Sequence, residues 1–192
     1  MELISDRLVL REVSDEDLIA INDYSSDEEN VVYMTFAPNS IEDTKKFIDL
    51  CKADSIQETR MNYDLAVYCK TENKVIGTCG MYVDSINEVG TNNVVGYQGE
   101  IGWILNKKYW KNGYGVEIAK RLIKFGFEEK KLHRIIAKCN AENYASYRVM
   151  EKSGMRFETL EKKSTYGRVR NVKIWYDKRI YAILDEDYFK KW

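Results

Sequence analysis

Apolar and polar side chains follow regular periods in the first third of the chain, and these periods predict one strand and two helices. Residues 3–12 alternate apolar and polar positions, which is typical of a strand with one buried face. Ser14 follows as a helix N-cap and predicts a helix over about residues 15–24. Ser40, after the single proline, predicts the start of a second helix that runs to about residue 55. The apolar residues at helical spacing in these two helices are Leu18, Ile21, Phe47, Ile48 and Cys51.

The middle of the chain is rich in β-forming residues. Residues 63–69 and 75–84 are two such runs, and the short polar turn between them predicts a hairpin. A polar loop over residues 85–93 precedes a third run, residues 94–105. Three glycines interrupt this third run, and they predict a bend or a bulge in the strand.

The last part of the chain alternates helices and strands. The clearest helical pattern covers residues 116–131, a short strand follows over 134–139, and a helix over 145–153 stops at Gly154. Two further β-rich runs complete the chain. This order predicts an α/β or α+β fold around one central sheet. Since no internal repeat or linker interrupts it, we expect residues 1–192 to form a single domain.

Composition and charge exclude several classes of protein. Hydrophobic residues make up 44% and charged residues 32%, which is typical of a globular chain. The 30 basic and 31 acidic residues create no field that would attract polyanions. The chain has neither an export signal nor an apolar run of bilayer length, so we expect a cytoplasmic protein without a membrane partner. One histidine and four dispersed cysteines predict reduced thiols and no metal site; the cysteines are Cys51, Cys69, Cys79 and Cys139.

The segment 100–119 carries the chemistry of the chain. It reads as a strand, a basic and aromatic loop, two glycines two positions apart, and the start of the long helix. Glycines allow a ligand to approach the backbone, and the first N–H groups of a helix have no internal partner. Such a helix start binds phosphate, although a glycine turn before a helix is more often only a tight turn. Nearby positive charge comes from Lys107, Lys108 and Lys111.

This segment resembles the GNAT acyltransferases, whose signature is a [QR]-x-x-G-x-[GA] loop between a strand and a helix. The corresponding residues are Trp110 to Gly115, and Trp110 departs from the first position. The form Y-W-x-x-G-Y-G is similar to the branch that contains the ribosomal-protein N-terminal acetyltransferases. Residues 5–11, 143–155 and 176–184 also fit that branch, so the resemblance covers nearly the whole chain.

The resemblance implies a single GNAT-type domain with a central mixed, largely antiparallel twisted sheet of six to seven strands, flanked by about four helices. It also implies acetyl-CoA as co-substrate and no metal. In the family, the backbone of the strand before the loop splays from its neighbour and pairs with the pantetheine arm, while the loop holds the pyrophosphate. The cofactor-binding residues that this implies are Trp103, Ile104, Leu105, Lys111, Asn112, Gly113, Tyr114, Gly115, Val116, Asn143 and Ser146.

The resemblance also implies catalytic residues. Many family members use a tyrosine as the general acid, and Met150 occupies that position here. The branch that this chain resembles instead places a serine one turn earlier, here Ser146. The simpler interpretation of Ser146 is a helix cap, and Tyr144 and Tyr147 are alternative phenols. Two carboxylates compete for the role of base, Glu100 and Glu158, although each could equally be an exposed strand residue. His133 is interpreted as a helix-terminal histidine rather than a catalytic one.

These residues predict direct acetyl transfer to a primary amine, either a protein N-terminal α-amine or a small-molecule amine. An α-amine is more often neutral at pH 7 than a lysine side chain, so it needs less help from a base. The alternative hypothesis is a non-catalytic module that senses acyl-CoA or binds nucleic acid on the same fold. The acceptor stays open, as does the choice between monomer and homodimer.

Residues 166–181 interleave basic and aromatic side chains, and three interpretations are open. Such a pattern can bind single-stranded nucleic acid, but a hairpin with exposed basic positions is the simpler interpretation, so we expect no nucleic-acid partner. The segment could also form a wall of the acceptor site that favours carboxylate-bearing substrates. The residues concerned are Arg168, Arg170, Lys173, Trp175, Tyr176, Lys178 and Arg179.

Overall fold

Eight strands and five α-helices occur in the parts of the chain that the computed structural model describes, residues 1–36, 38–87, 94–169 and 172–190. The strands are β1 (Glu2–Ile4), β2 (Leu8–Glu12), β3 (Asn62–Cys69), β4 (Lys74–Asn87), β5 (Val94–Leu105), β6 (Arg134–Asn140), β7 (Arg156–Val169) and β8 (Val172–Leu184). The helices are α1 (Leu18–Ser25), α2 (Ile41–Ser55), α3 (Tyr114–Lys124), α4 (Tyr144–Lys152) and α5 (Asp185–Phe189).

All eight strands join one sheet in the order β1-β2-β3-β4-β5-β6-β8-β7. Neighbouring strands are antiparallel except for β5 and β6, which are parallel and are connected by α3. The mixed, largely antiparallel sheet is therefore confirmed. The numbers differ from the expectation, since the sheet has eight strands rather than six to seven and five helices rather than about four accompany it.

The extra strand comes from the start of the chain, where residues 3–12 form a hairpin instead of the predicted single strand. The chain turns between Ile4 and Leu8, and Leu3 pairs with Leu10 across the hairpin. Leu3, Leu8 and Leu10 are all buried on the same side. The buried positions change phase across the turn, from Leu3 to Leu8 and Leu10, and polar residues occupy positions 5–7, so two short strands replace the predicted single strand.

Helices cover both faces of the sheet. In β3, Leu65 and Val67 belong to one buried cluster and Ala66, between them, belongs to another, so the two clusters lie on opposite faces. The first cluster contains Ile118 of α3 and Met150 of α4. The second contains Ile21 and Cys51, among other residues of α1 and α2. We refer to these as the α3–α4 face and the α1–α2 face.

Most other element boundaries agree with the sequence patterns. Ser40 caps α2 through its side chain, and the register of β4 against β5 shifts beside Asp84, which confirms a bulge. Helix α3 begins at Tyr114, two positions earlier than predicted, and continues into a π-helical turn over Phe125–Glu129. Part of the predicted loop over 85–93 belongs to β4, which extends to Asn87, and residues 88–93 lie outside the described ranges.

The cysteine prediction is confirmed, since all four are free thiols and only Cys139 is more than marginally exposed. Among the helices of the described ranges, none combines the length and apolar character that a bilayer crossing requires.

Candidate active site

The parallel pair β5 and β6 separates part of the way along. The two strands pair only where Gln98, Gly99 and Glu100 lie opposite residues 134–136. Beyond Glu100, both strands continue, but within the described residues no further β5–β6 pairing is formed. Residues 101–105 therefore pair with β4 on one side only and leave their other backbone edge open. Trp103, Ile104 and Leu105, the predicted pantetheine-binding residues, lie along this gap.

The gap opens into a cavity of about 730 Å³ that reaches both faces of the sheet. From the α3–α4 face, Asn143, Ser146 and Met150 line it. From the α1–α2 face, it is lined by residues that include Ile21 and Phe47. A single space thus connects the two sides of the sheet next to the open edge of β5.

The loop before α3 ends in two residues with left-handed backbone conformation. Lys111 has a φ of 65° and Gly113 a φ of 81°, and Gly113 is the N-cap of α3. At Gly115, a Cβ would lie 3.1 Å from Val149, so the glycine allows α3 and α4 to approach closely. The result is an exposed loop, 111–113, that leads directly into the N-terminus of α3, whose first N–H groups lack helical acceptors.

The hairpin turn between β1 and β2 fixes this helix start. Arg7 donates from Nη1 to the carbonyl of Asn112 at 2.9 Å and from Nε to Glu117 Oε2 at 2.8 Å. Ser5 Oγ donates to Glu117 Oε1 at 2.7 Å. Burial alone would raise the pKa of Glu117, but the hydrogen bonds from Arg7 and Ser5 hold it below its usual value. The carboxylate is therefore charged and holds the first turn of α3 in place.

Two of the three loop lysines, which the sequence suggested as nearby positive charge, are held in ion pairs. Lys107 lies 2.8 Å from Asp27 and 2.9 Å from Glu29, and Lys108 lies 3.1 Å from Asp23. The acidic stretch after α1 supplies two of these partners, Asp27 and Glu29. Lys111 is exposed beside Asn112 in the loop.

Ser146 faces the cavity and is not the cap of its helix. Asn143 is the N-cap of α4, and its Oδ1 accepts from the backbone N–H of Ser146 at 3.1 Å. The Ser146 hydroxyl is half-buried near Cys139. Burial raises the pKa of the Cys139 thiol to about 11. The alternative phenols lie elsewhere: Tyr144 is 63% exposed and Tyr147 stacks on Tyr181.

The structure brings one of the two candidate bases to this cavity. Glu100 lines it and accepts from Lys138 Nζ at 2.6 Å. Glu158 is exposed on β7 and does not line the cavity; it binds both terminal nitrogens of Arg134, one of them at 2.7 Å. That ion pair holds the pKa of Glu158 below its usual value. His133 is also outside the cavity and lies 3.1 Å from Asp185.

Three residues that sequence reasoning missed also line the site. Asp64 Oδ1 accepts from the hydroxyl of Tyr82 at 2.6 Å, and both residues line the cavity. Asn140 is buried at the end of β6, and within the described part of the chain its Nδ2 has no hydrogen-bond partner. No local motif marks these residues, because their position depends on which distant strands pair.

The β7–β8 hairpin forms one wall of the cavity. Thr165, Tyr176 and Lys178 line it, and Lys178 Nζ lies 3.1 Å from Glu161. Tyr176 is buried, whereas Tyr166 and Trp175 are exposed and pack against each other at 5.2 Å between ring centroids. Arg170 lies outside the described residues. In the ranges that the structure covers, no group of His, Cys, Asp and Glu side chains is arranged to hold a metal ion.

Comparison with known proteins identifies similar chains. The family model described as acetyltransferase (GNAT) domain matches residues 7–156. An uncharacterized N-acetyltransferase of Bacillus subtilis, YnaD, is 34% identical over 98% of this chain and 99% of its own length. Its similarity therefore extends over the whole described fold.

Solved structures agree with this comparison. A GNAT-family acetyltransferase from Bacillus anthracis is 35% identical, with a TM-score of 0.76 over 97% of this chain and 99% of its own. The ribosomal L7/L12 α-N-protein acetyltransferase in complex with coenzyme A has a TM-score of 0.77 at 17% identity, over 96% of this chain and 98% of its own. At that identity the likeness shows the fold alone.

Proposed function

The chain belongs to the GNAT acetyltransferase family, and we propose that it transfers an acetyl group from acetyl-CoA directly to a primary amine. The observation that carries this proposal is the gap between β5 and β6. It joins an open backbone edge to the side chains of Ser146 and Glu100 in one cavity. The first turn of α3 lies beside this edge, since a Cβ on Gly115 would be 3.9 Å from the Trp103 side chain. The acceptor that we propose is a protein N-terminal α-amine or a small-molecule amine.

The residues at the gap fit a coenzyme A thioester. The open edge of residues 101–105 can pair with the amide groups of a pantetheine arm, as a strand would. The first-turn N–H groups of α3, together with the backbone of Lys111, Asn112 and Gly113, suit a pyrophosphate. Asn140 Nδ2, a buried donor without a described partner, supplies a further hydrogen bond for a polar ligand in the gap. A protein of the same fold is known in complex with coenzyme A, which supports this assignment.

The transfer reaction assigns a role to each group. The neutral amine attacks the thioester carbonyl carbon, and a backbone N–H of residues 103–105 stabilises the oxyanion that forms. When this tetrahedral intermediate collapses, the new C–N bond is kept and the C–S bond breaks. The amine loses one proton to Glu100, directly or through water, and the departing thiolate gains one proton from Ser146, which is itself reprotonated from solvent. We favour Glu100 over Glu158 as base because Glu100 shares the cavity with Ser146.

Three measurements test the proposal. Acetyl-CoA is expected to raise the melting temperature of the protein, and a mixed panel of amines is expected to release free thiol from acetyl-CoA. Mass spectrometry of the panel should then show acceptors that have gained one acetyl group. Stabilisation without thiol release for any amine would instead support a non-catalytic acyl-CoA sensor. The absence of both stabilisation and thiol release would contradict the proposed function.

A further inference from the structure

Asp64 lies on the α1–α2 face of the cavity and has no role in the transfer reaction described above. It shares this face with Tyr82 and Glu100, because residues 64 and 80 are paired, as are residues 82 and 100. One carboxylate oxygen accepts from the hydroxyl of Tyr82 at 2.6 Å. That bond fixes the orientation of the carboxylate next to the cavity that both residues line.

The floor between Asp64 and the gap is formed by glycines and by the phenol of Tyr82, whose hydroxyl lies 3.0 Å from the position of a Cβ on Gly80. Asp64 pairs with Gly80, and Gly80 pairs with Gly102 of β5, so these three residues form one row across the sheet. A Cβ on Gly80 would lie 2.9 Å from Asp64 Oδ1, whereas a Cβ on Gly102 would meet no atom within 4 Å. Two strand spacings, about 10 Å, separate Asp64 from the β5 backbone. Since Asp64, Gly80 and Gly102 all line the cavity, a slender, extended molecule can reach from the gap to the carboxylate and to the Tyr82 hydroxyl bound to it.

The charges around the cavity leave Asp64 without a compensating cation. Lys138 is paired with Glu100 at 2.6 Å, and Lys178 with Glu161 at 3.1 Å. Within the described residues Asp64 forms no ion pair. The charge of Arg60 acts on Asp64, but its guanidinium binds both oxygens of Glu12, at 2.7 and 3.0 Å. Burial raises the pKa of Asp64, as expected for a carboxylate that has lost water without gaining a cation.

We propose that Asp64 binds a second cationic group of the acceptor, an ammonium or guanidinium, while the primary amine of the same molecule lies at the gap. This inference rests on the proposed acetyl transfer and narrows its substrate class to extended acceptors with two positive charges. Lys178, which lines the cavity from the β7–β8 wall, is paired with Glu161 and so offers no unpaired charge to a carboxylate-bearing acceptor. An ammonium at Asp64 would form a charge-assisted hydrogen bond with the oxygen that Tyr82 leaves available.

The experiment compares straight-chain diamines, from propane to octane, with the monoamine of the same length. The measured quantity is kcat/KM for thiol release from acetyl-CoA. For at least one length, the wild type should prefer the diamine about ten-fold or more, as expected for an ion pair formed in a desolvated site. Asp64→Asn should lower kcat/KM for the diamine at least about ten-fold more than kcat/KM for the monoamine. Asp49→Asn, which removes the same charge from the exposed surface of α2, should keep the wild-type preference.

The possible outcomes are distinct. A wild type without diamine preference at any length, or a preference that Asp64→Asn retains, would overturn this inference and leave acetyl transfer intact. A wild type that releases thiol with neither kind of amine, and is not stabilised by acetyl-CoA, would contradict the proposed function itself. Stabilisation of Asp64→Asn by acetyl-CoA, measured in parallel, shows that the variant is folded and binds the donor.

Discussion

Arg7 and Glu117, 110 residues apart in the chain, are joined by two hydrogen bonds of 2.8 Å, one from the backbone N–H of Arg7 and one from its Nε. The same guanidinium also donates to the carbonyl of Asn112. The turn between β1 and β2 therefore holds both the loop and the helix start that we assign to the pyrophosphate. The order of the proposed acetyl-CoA site therefore depends on contacts of Arg7 with the protein rather than with acetyl-CoA.

Arg7→Ala should weaken acetyl-CoA binding about ten-fold, because Asn112 and Glu117 lose charge-assisted hydrogen bonds that hold the loop. Titration calorimetry measures this directly. Arg156→Ala is the matched control, since it breaks an exposed ion pair with Asp187, 3.3 Å long, on another part of the surface. Equal affinities for Arg7→Ala and the wild type would show that the turn does not order the loop.

Gly113→Val should remove most of the stabilisation by acetyl-CoA. The φ of 81° at Gly113 costs a β-branched residue at least about 1–2 kcal/mol, and relief of that strain would reorient the N–H groups of the loop. Gly113→Asn is the control, because asparagine tolerates left-handed backbone. Melting temperatures with and without acetyl-CoA should separate the two variants, and an equal loss in both would point to side-chain bulk instead.

Ser146→Ala should lower kcat about a hundred-fold and change the affinity for acetyl-CoA little, as expected for a lost proton donor. The helix should remain intact because Asn143, not Ser146, caps it. Ser153→Ala, at the other end of α4, is the matched control. If Ser146→Ala turned over at the wild-type rate, the acid would have to be another group or water.

Glu100→Gln should lower kcat/KM more than Glu158→Gln, because only Glu100 lines the cavity.

Glu158→Gln should instead reduce stability at neutral pH. The ion pair with Arg134 lowers the pKa of Glu158, so its contribution to stability is present above the ordinary glutamate pKa and lost as the pH falls. Melting curves at about pH 7 and pH 4 should therefore show a smaller acid sensitivity for Glu158→Gln than for the wild type.

Asp64→Asn should raise the melting temperature at about pH 7 relative to the wild type. Burial raises the pKa of Asp64, and Asp54 raises it further, while the bond from Tyr82 and the charge of Arg60 oppose the shift. A raised carboxyl pKa means that the folded state binds more protons, so stability falls as the pH rises. The gain should shrink as the pH falls, because the aspartate then takes up a proton in the folded state. A melting temperature below that of the wild type at neutral pH would contradict a desolvated carboxylate.

Local patterns were enough to predict α1 to α4 and the crossover through α3, but not the short α5. They failed at the first hairpin, because the turn over residues 5–7 lacks glycine and proline and the pairing of Leu3 with Leu10 is a contact between strands. They also failed for Lys107, whose partners Asp27 and Glu29 precede it by most of the first half of the chain. Both errors concern contacts that a local period does not encode.

The residues of the site also fall into two groups, those that local sequence patterns could predict and those that only the fold brings to the cavity. The loop 111–113, Asn143 and Ser146 lie in recognisable segments and could be proposed from the sequence. Asp64 and Asn140 could not, because their place in the cavity follows from strand register and from the point where β5 and β6 separate. Glu100 and Glu158 were equivalent in sequence, and the fold distinguishes them, because Glu100 lines the cavity whereas Glu158 is exposed on β7 and paired with Arg134.

The passage through the sheet has a practical consequence for inhibitor design. Since the donor edge of β5 and the Asp64 end of the cavity belong to one continuous space, a single compound could occupy both. A coenzyme A thioether extended by a short cationic tail would gain the effective concentration of a tethered ligand. Such a bisubstrate molecule would link the two halves of the reaction that the protein itself brings together only during turnover.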